Sequence, residues 1–182
     1  MPRKNKSRKA QSNSLDFQSL QPRQLLAADV SVGWQDLHSQ PLLGETVEVS
    51  INVSNTGDDT GFGPFVDIVV PGTGLSYVGN SGSWLDTPLK ETIVQFDEDG
   101  VAEHPFVKDS SGNPLYIAAN PNDQLVVFEF PIGSYVPDQP AMEIDMQLAI
   151  DALAEAGAPL QLTATGGLRY GNDALDLSLI HI

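Results

Sequence analysis

The run "FDEDGVAE" gathers Asp97, Glu98, Asp99 and Glu103 around Gly100. Calcium and other hard cations take about six to eight oxygens, mostly carboxylates and carbonyls on a sharply bent loop. Asp97, Asp99 and Glu103 are therefore the candidate metal ligands, with calcium the ion to weigh against an expectation of no cofactor. The run lacks the Asp-x-Asp-x-Asp-Gly order and the twelfth-position Glu of an EF-hand loop. Solvated turns on an acidic surface are the plainer reading. "NTGDDTG", with Asp58 and Asp59, is a thinner cluster of the same kind. Trp84, in "GNSGSWLD", is the candidate ligand-binding side chain. Exposed, it would stack on a sugar ring; turned inward, it would plug one end of the fold, which is the expected outcome.

Nucleophilic catalysis has little to build on. The chain has no cysteine and no Gly-x-Ser-x-Gly elbow. His38 and His104 are isolated, His181 lies in the closing "LSLIHI", and nothing points to a nucleophile within hydrogen-bond reach of a base. "GTGLSY" and "GFGPF" lack the third glycine and the following helix of a phosphate loop. Lys90 and Lys108 sit beside acids and read as exposed loop residues, so an isopeptide crosslink through a buried lysine is not expected. The expectation is a protein that is not an enzyme.

The elements that would position these residues are strands. "ETVEVSINVSN" puts Val47, Val49, Ile51 and Val53 on one face, and Glu48, Ser50 and Asn52 on the other. "AMEIDMQLAI" does the same with Met142, Ile144, Met146, Leu148 and Ile150. This is the period of a strand with one buried face. "ADVSVGW", "FVDIVV", "LSYVG", "ETIVQF", "PLYIA", "QLVVFEF" and "LQLTAT" are further candidate strands, and Gly, Pro, Asn or Asp separates nearly all of them. "IDALAEAG" is the one helix-like stretch. Many short strands with so little helix predict an all-β, immunoglobulin-like antiparallel β-sandwich.

Charge divides the chain unevenly. Arg3, Lys4, Lys6, Arg8, Lys9 and Arg23 open it, against Asp16 alone. Only Lys90, Lys108 and Arg169 follow, against 23 acids. Residues 1–27 read as a disordered basic tail and residues 28–176 as one acidic sandwich domain. An acidic surface repels nucleic acid and anionic lipid, so neither is an expected partner. No apolar run approaches the ~20 residues of a membrane span, and no apolar core follows the basic cluster as in a secretory signal.

Three stretches carry a resemblance. After the basic cluster, "FQSLQPRQLLAADV" resembles the planctomycete-type N-terminal motif built on Leu-Glu-Pro-Arg and Leu-Leu-Ala, which heads large secreted or surface proteins. Leu20, Pro22, Arg23, Leu25, Leu26 and Ala27 match it, and Gln21 stands where Glu is usual. "VEVSINVSNTGDDTGFGPFVDIVVPGTGLSYVGNSGS" is similar to conserved repeat domains of bacterial surface proteins, in which a strand ending in Asn-Thr-Gly leads to one ending in Pro. "LSLIHI", residues 177–182, resembles the translation of a sequencing-library adapter, so the chain is expected to be a fragment cut near Asp176. The resemblance implies a non-enzymatic, adhesin-like module exported by a non-standard N-terminal signal to the cell surface or beyond. Its partners would be downstream repeats of the same chain, extracellular polymers or other cells. The alternatives are a carbohydrate- or calcium-binding extracellular module and an accessory domain of a secreted enzyme.

Overall fold

The computed structural model describes residues 27–35, 42–109, 111–152, 154 and 161–171. Among them all regular structure is β-strand and every pairing is antiparallel. The first sheet runs β1 (Val30–Gln35), β2 (Thr46–Asn55), β13 (Met142–Ile150), with β5 (Leu75–Tyr77) and the small β6–β7 hairpin (Ser83–Trp84, Thr87–Pro88) along the far edge of β13. The second runs β14 (Thr163–Leu168), β4 (Pro64–Val70), β11 (Gln124–Glu129), β8 (Lys90–Gln95). A short antiparallel pair, β3 (Gly61–Phe62) with β12 (Ser134–Tyr135), forms a separate two-stranded sheet.

The two sheets form the antiparallel β-sandwich that the alternating strands predict. β1 pairs with β2, and β4 with β11. The long strand β13 crosses back into the first sheet beside β2. Val47, Val49, Ile51 and Val53 of β2 all face inward, as do Met142, Ile144, Met146, Leu148 and Ile150 of β13. Register pairs Ile51 with Trp34 on one side and Ile144 on the other. A one-residue slip would turn every one of these side chains to water. Val66, Ile68, Val70, Val126 and Phe128 meet them from the second sheet, and Tyr77 stacks edge-on against Phe128 at 5.8 Å.

The second sheet is covered on its outer face as well. β9 (Val101–Lys108) and β10 (Pro114–Ala118) form a hairpin. The hairpin contributes Ala102, Phe106, Val107 and Ile117 to a smaller core with Phe65, Leu125 and Val127. This explains "LVVF" in β11, where four successive residues are buried: a strand packed on both faces loses its alternation. Pro105 is tolerated because the β9–β10 register shifts beside it, where no ladder bond is required.

His104 pins the hairpin, which corrects the expectation that it stands isolated. Its side chain is fully buried, and Nε2 lies 3.1 Å from Asp67 Oδ1. Nδ1 accepts from the backbone N–H of Phe106 and Val107, at 3.3 and 3.0 Å. Those two bonds make Nε2 the protonated nitrogen that donates to Asp67. Two more expectations shift. The last strand is Thr163–Leu168 rather than Leu160–Thr165, because Gly166 and Gly167 belong to it. A Cβ at Gly166 would lie 2.3 Å from Val30 Cγ1, and one at Gly167 2.2 Å from the Phe65 ring. Lys90 and Lys108 lie on strands, not loops. Of "IDALAEAG", Ile150 ends β13 and residues 153 and 155–157 lie outside the described residues.

Candidate functional site

Side chains converge on an open groove of about 290 Å³ beside the β9–β10 hairpin, on the second sheet. Phe65, Phe106, Phe130 and Tyr170 supply its apolar walls, and Lys90, Glu129 and Arg169 its charges. Register builds the first contact: Lys90 stands opposite Glu129 on paired strands, and Lys90 Nζ lies 2.6 Å from Glu129 Oε1. Arg169 comes from the turn after β14, which the Arg169 N–H fixes by donating to the Gly63 carbonyl at 2.9 Å. Its Nη1 donates to Glu129 Oε2 at 3.0 Å. The guanidinium carbon sits 4.6 Å from the Phe106 ring centroid and 5.4 Å from that of Tyr170. One carboxylate thus holds two cations, one of them stacked on aromatic faces. Gly63, at φ 64°, is needed here, since a Cβ would lie 2.7 Å from the Tyr170 ring.

This groove is absent from the sequence reading. Its one available signal was scarcity: of the three basic residues after Arg23, two meet at a single acid.

The expected metal ligands are placed otherwise. Asp97 Oδ1 accepts the N–H groups of Asp99 (3.0 Å) and Val101 (2.8 Å), closing the turn between β8 and β9. Gly100, at φ 72°, donates to the Asp97 carbonyl in the same turn. Asp99 stays exposed on the turn, and Glu103 points outward from β9, opposite Tyr116. Among the described residues no three His, Cys, Asp or Glu side chains form a group able to hold a metal. Asp97→Ala is expected to cost about 1–2 kcal/mol, as the loss of a side chain capping two backbone donors does. Denaturant titration with and without millimolar calcium checks both points: the midpoint should fall in the variant, and calcium should move neither protein.

Trp84 lies on β6 rather than in a loop. It is half-buried, packs on the main core and meets Phe130 edge-on at 6.0 Å. Leu85 and Asp86, both with positive φ, turn the chain between β6 and β7. Of the sorting-motif residues, Leu20, Pro22, Arg23, Leu25 and Leu26 lie outside the described residues. Ala27 is described: its N–H donates to Asp58 Oδ1 at 2.8 Å. The "NTGDD" acids therefore serve the turn. Asn55 is its hub, buried, with Oδ1 accepting from Asp29 and Gly57 and Nδ2 donating to the carbonyls of Asp59 and Tyr135.

Burial and then the hydrogen bond to Glu91 push the Tyr77 phenol above its ordinary value, and burial does the same to Tyr135. The folded state therefore disfavours both phenolates. Their contribution is complete below pH 10, the unfolded value, and is lost as pH rises through the raised folded values. Unfolding midpoints should be flat from pH 8 to about 10 and fall above it. Tyr77→Phe should make the fall shallower; an unchanged alkaline limb would contradict the assignment.

No family model and no curated protein matches the chain. Solved structures that resemble it remotely include the following three. AvmM, which catalyses macrocyclization in alchivemycin A biosynthesis, is 12% identical, with a TM-score of 0.38 over 77% of this chain and 74% of that one. A biomass-sensing module from putative RsgI-like proteins of Clostridium thermocellum, described as resembling the family 3 carbohydrate-binding module of the cellulosome, is 14% identical, with a TM-score of 0.35 over 78% and 93%. The CBM3a-L domain of the scaffoldin CipA from the same organism is 13% identical, with a TM-score of 0.34 over 79% and 86%. At these values the likenesses assign neither a family nor a ligand to this chain.

Proposed function

We propose that this chain is a non-enzymatic β-sandwich module of an exported bacterial surface protein, with a structural and adhesive role. The observation that carries this is the employment of its polar side chains. Asn55, Asp97, His104, Asp109 and Asp123 each close a turn or dock a hairpin. Among the described residues no buried side-chain nitrogen or oxygen lacks a partner. Catalytic acids and bases are instead held ready in a cleft, facing a substrate. A net charge of −15 adds a surface suited to salty surroundings, where self-repulsion is screened. Residues 1–27 would be the address, and downstream repeats, extracellular polymers or other cells the partners. The test is a C-terminally tagged chain expressed in a planctomycete host. Protease added to intact cells should digest the tag or find it in the medium; a tag protected until lysis would overturn the export reading.

A second reading, carbohydrate binding, is supported by the groove. Aromatic walls with a few convergent polar groups are the usual makeup of a small-ligand site. Affinity electrophoresis of the purified chain through gels cast with different polysaccharides checks it: retardation by at least one is expected, and unretarded migration in all of them would end it.

A further inference from the structure

We propose that the groove at Lys90, Glu129 and Arg169 takes an anionic polysaccharide, bound through its carboxylate or sulfate group. This rests on the carbohydrate-binding reading and names the class of sugar. Glu129 is 18% exposed and each of its carboxylate oxygens already accepts from a cation, so the groove presents more donor than acceptor capacity. Its donors are in surplus. The Lys90 side chain is 71% exposed and that of Arg169 34%, and each gives Glu129 only part of its donor set. A neutral sugar hydroxyl needs acceptors as well as donors, whereas a carboxylate or sulfate only accepts, with stronger, charge-assisted bonds.

Charge complementarity points the same way. Only Lys90, Lys108 and Arg169 follow Arg23, and Lys108, at the end of β9, is outside the groove. Among the described residues this is where two cations meet a single carboxylate, so an anion is repelled less here than on the rest of that acidic surface. The guanidinium is also held before binding, by Glu129 and by the faces of Phe106 and Tyr170, which lowers the ordering cost of capturing a ligand.

The probes are polygalacturonate for a uronate carboxylate, dextran sulfate for a sulfate ester, and unmodified dextran as the neutral arm, each cast in a native gel. The full chain should be retarded by polygalacturonate, by dextran sulfate or by both, and the arm that responds names the anion. Lys90→Ala and Arg169→Gln should each weaken that retardation at least about 10-fold, the loss of a charge-assisted contact. Lys108→Ala should leave it unchanged. Lys90 is exposed enough for its substitution to leave folding intact, so the test stands even if Arg169→Gln lowers the melting temperature. Equal weakening by Lys108→Ala would show diffuse charge attraction and overturn the site. Retardation by neutral dextran that ignores Lys90→Ala would overturn the anionic ligand while leaving the carbohydrate reading intact. No retardation in any gel would overturn both.

Discussion

Ile51→Asp is expected to leave the chain unfolded at 25 °C. Ile51 is fully buried between Trp34 and Ile144 on the neighbouring strands. Removing a buried Ile costs about 2–5 kcal/mol in packing. A carboxylate with no partner in the same place adds several more. Together these match the whole stability of a domain this size, roughly 5–15 kcal/mol. Glu48→Ala, three residues away on the exposed face of the same strand, should change stability by no more than about 0.5 kcal/mol. Ser50 is a poorer control than its outward position implies. Its hydroxyl donates to Asp145 Oδ1 at 2.6 Å, so Ser50→Asp would set two carboxylates against each other. Near-ultraviolet circular dichroism and urea titration read the comparison. Equal melts for the Ile51 and Glu48 variants would mean that the alternation in β2 does not report a buried face.

Asn55→Ala should be the costliest polar substitution, at about 3–5 kcal/mol, since each buried group left without its bond costs about 1–3 kcal/mol. Four bonds leave with the side chain: two to N–H groups of Asp29 and Gly57, two to carbonyls of Asp59 and Tyr135. They tie the entry of β1 to the β2–β3 turn and to β12. Asn55→Asp discriminates the mechanism. It keeps both acceptor bonds but turns a carboxylate toward two carbonyls, so it should be nearly as damaging as Ala. If Asp were tolerated, the donor half of the hub would contribute little. A fall in melting temperature on the order of 10 °C is expected for either variant.

The part of this structure that was legible in the sequence is the part fixed by a contrast between core and water. β2 and β13 each have one face of each kind, so their alternation shows directly in the residue types. β11 was legible as a strand, but the layer above it was not, because "VAEHPFVK" mixes His, Pro and Glu with its apolar residues. The partner that makes His104 a core residue, Asp67, is 37 residues away in the chain. Gly166 and Gly167 look like strand breakers in isolation, yet they are required where Val30 and Phe65 press against β14. The groove was hidden for a similar reason. Lys90, Glu129 and Arg169 come from three separate elements, and only the register of β8 on β11 and the turn after β14 bring them together. The acids of "FDEDGVAE" were visible, but whether a carboxylate faces a cation or its own turn is decided by backbone geometry.

Hydrogen exchange of the purified chain tests most directly that it is one stiff sandwich whose second sheet is covered on both faces. The amides of Val66–Val70 and Leu125–Phe128 should exchange slowest of all, opening only with global unfolding, because β4 and β11 are paired on both edges and packed between the main core and the hairpin. The free edge of β1 and the β6–β7 turn should exchange far faster. Exchange of β11 as rapid as that of the β6–β7 turn would contradict the two-sided burial, and with it the rigid module on which the structural role and the groove both depend.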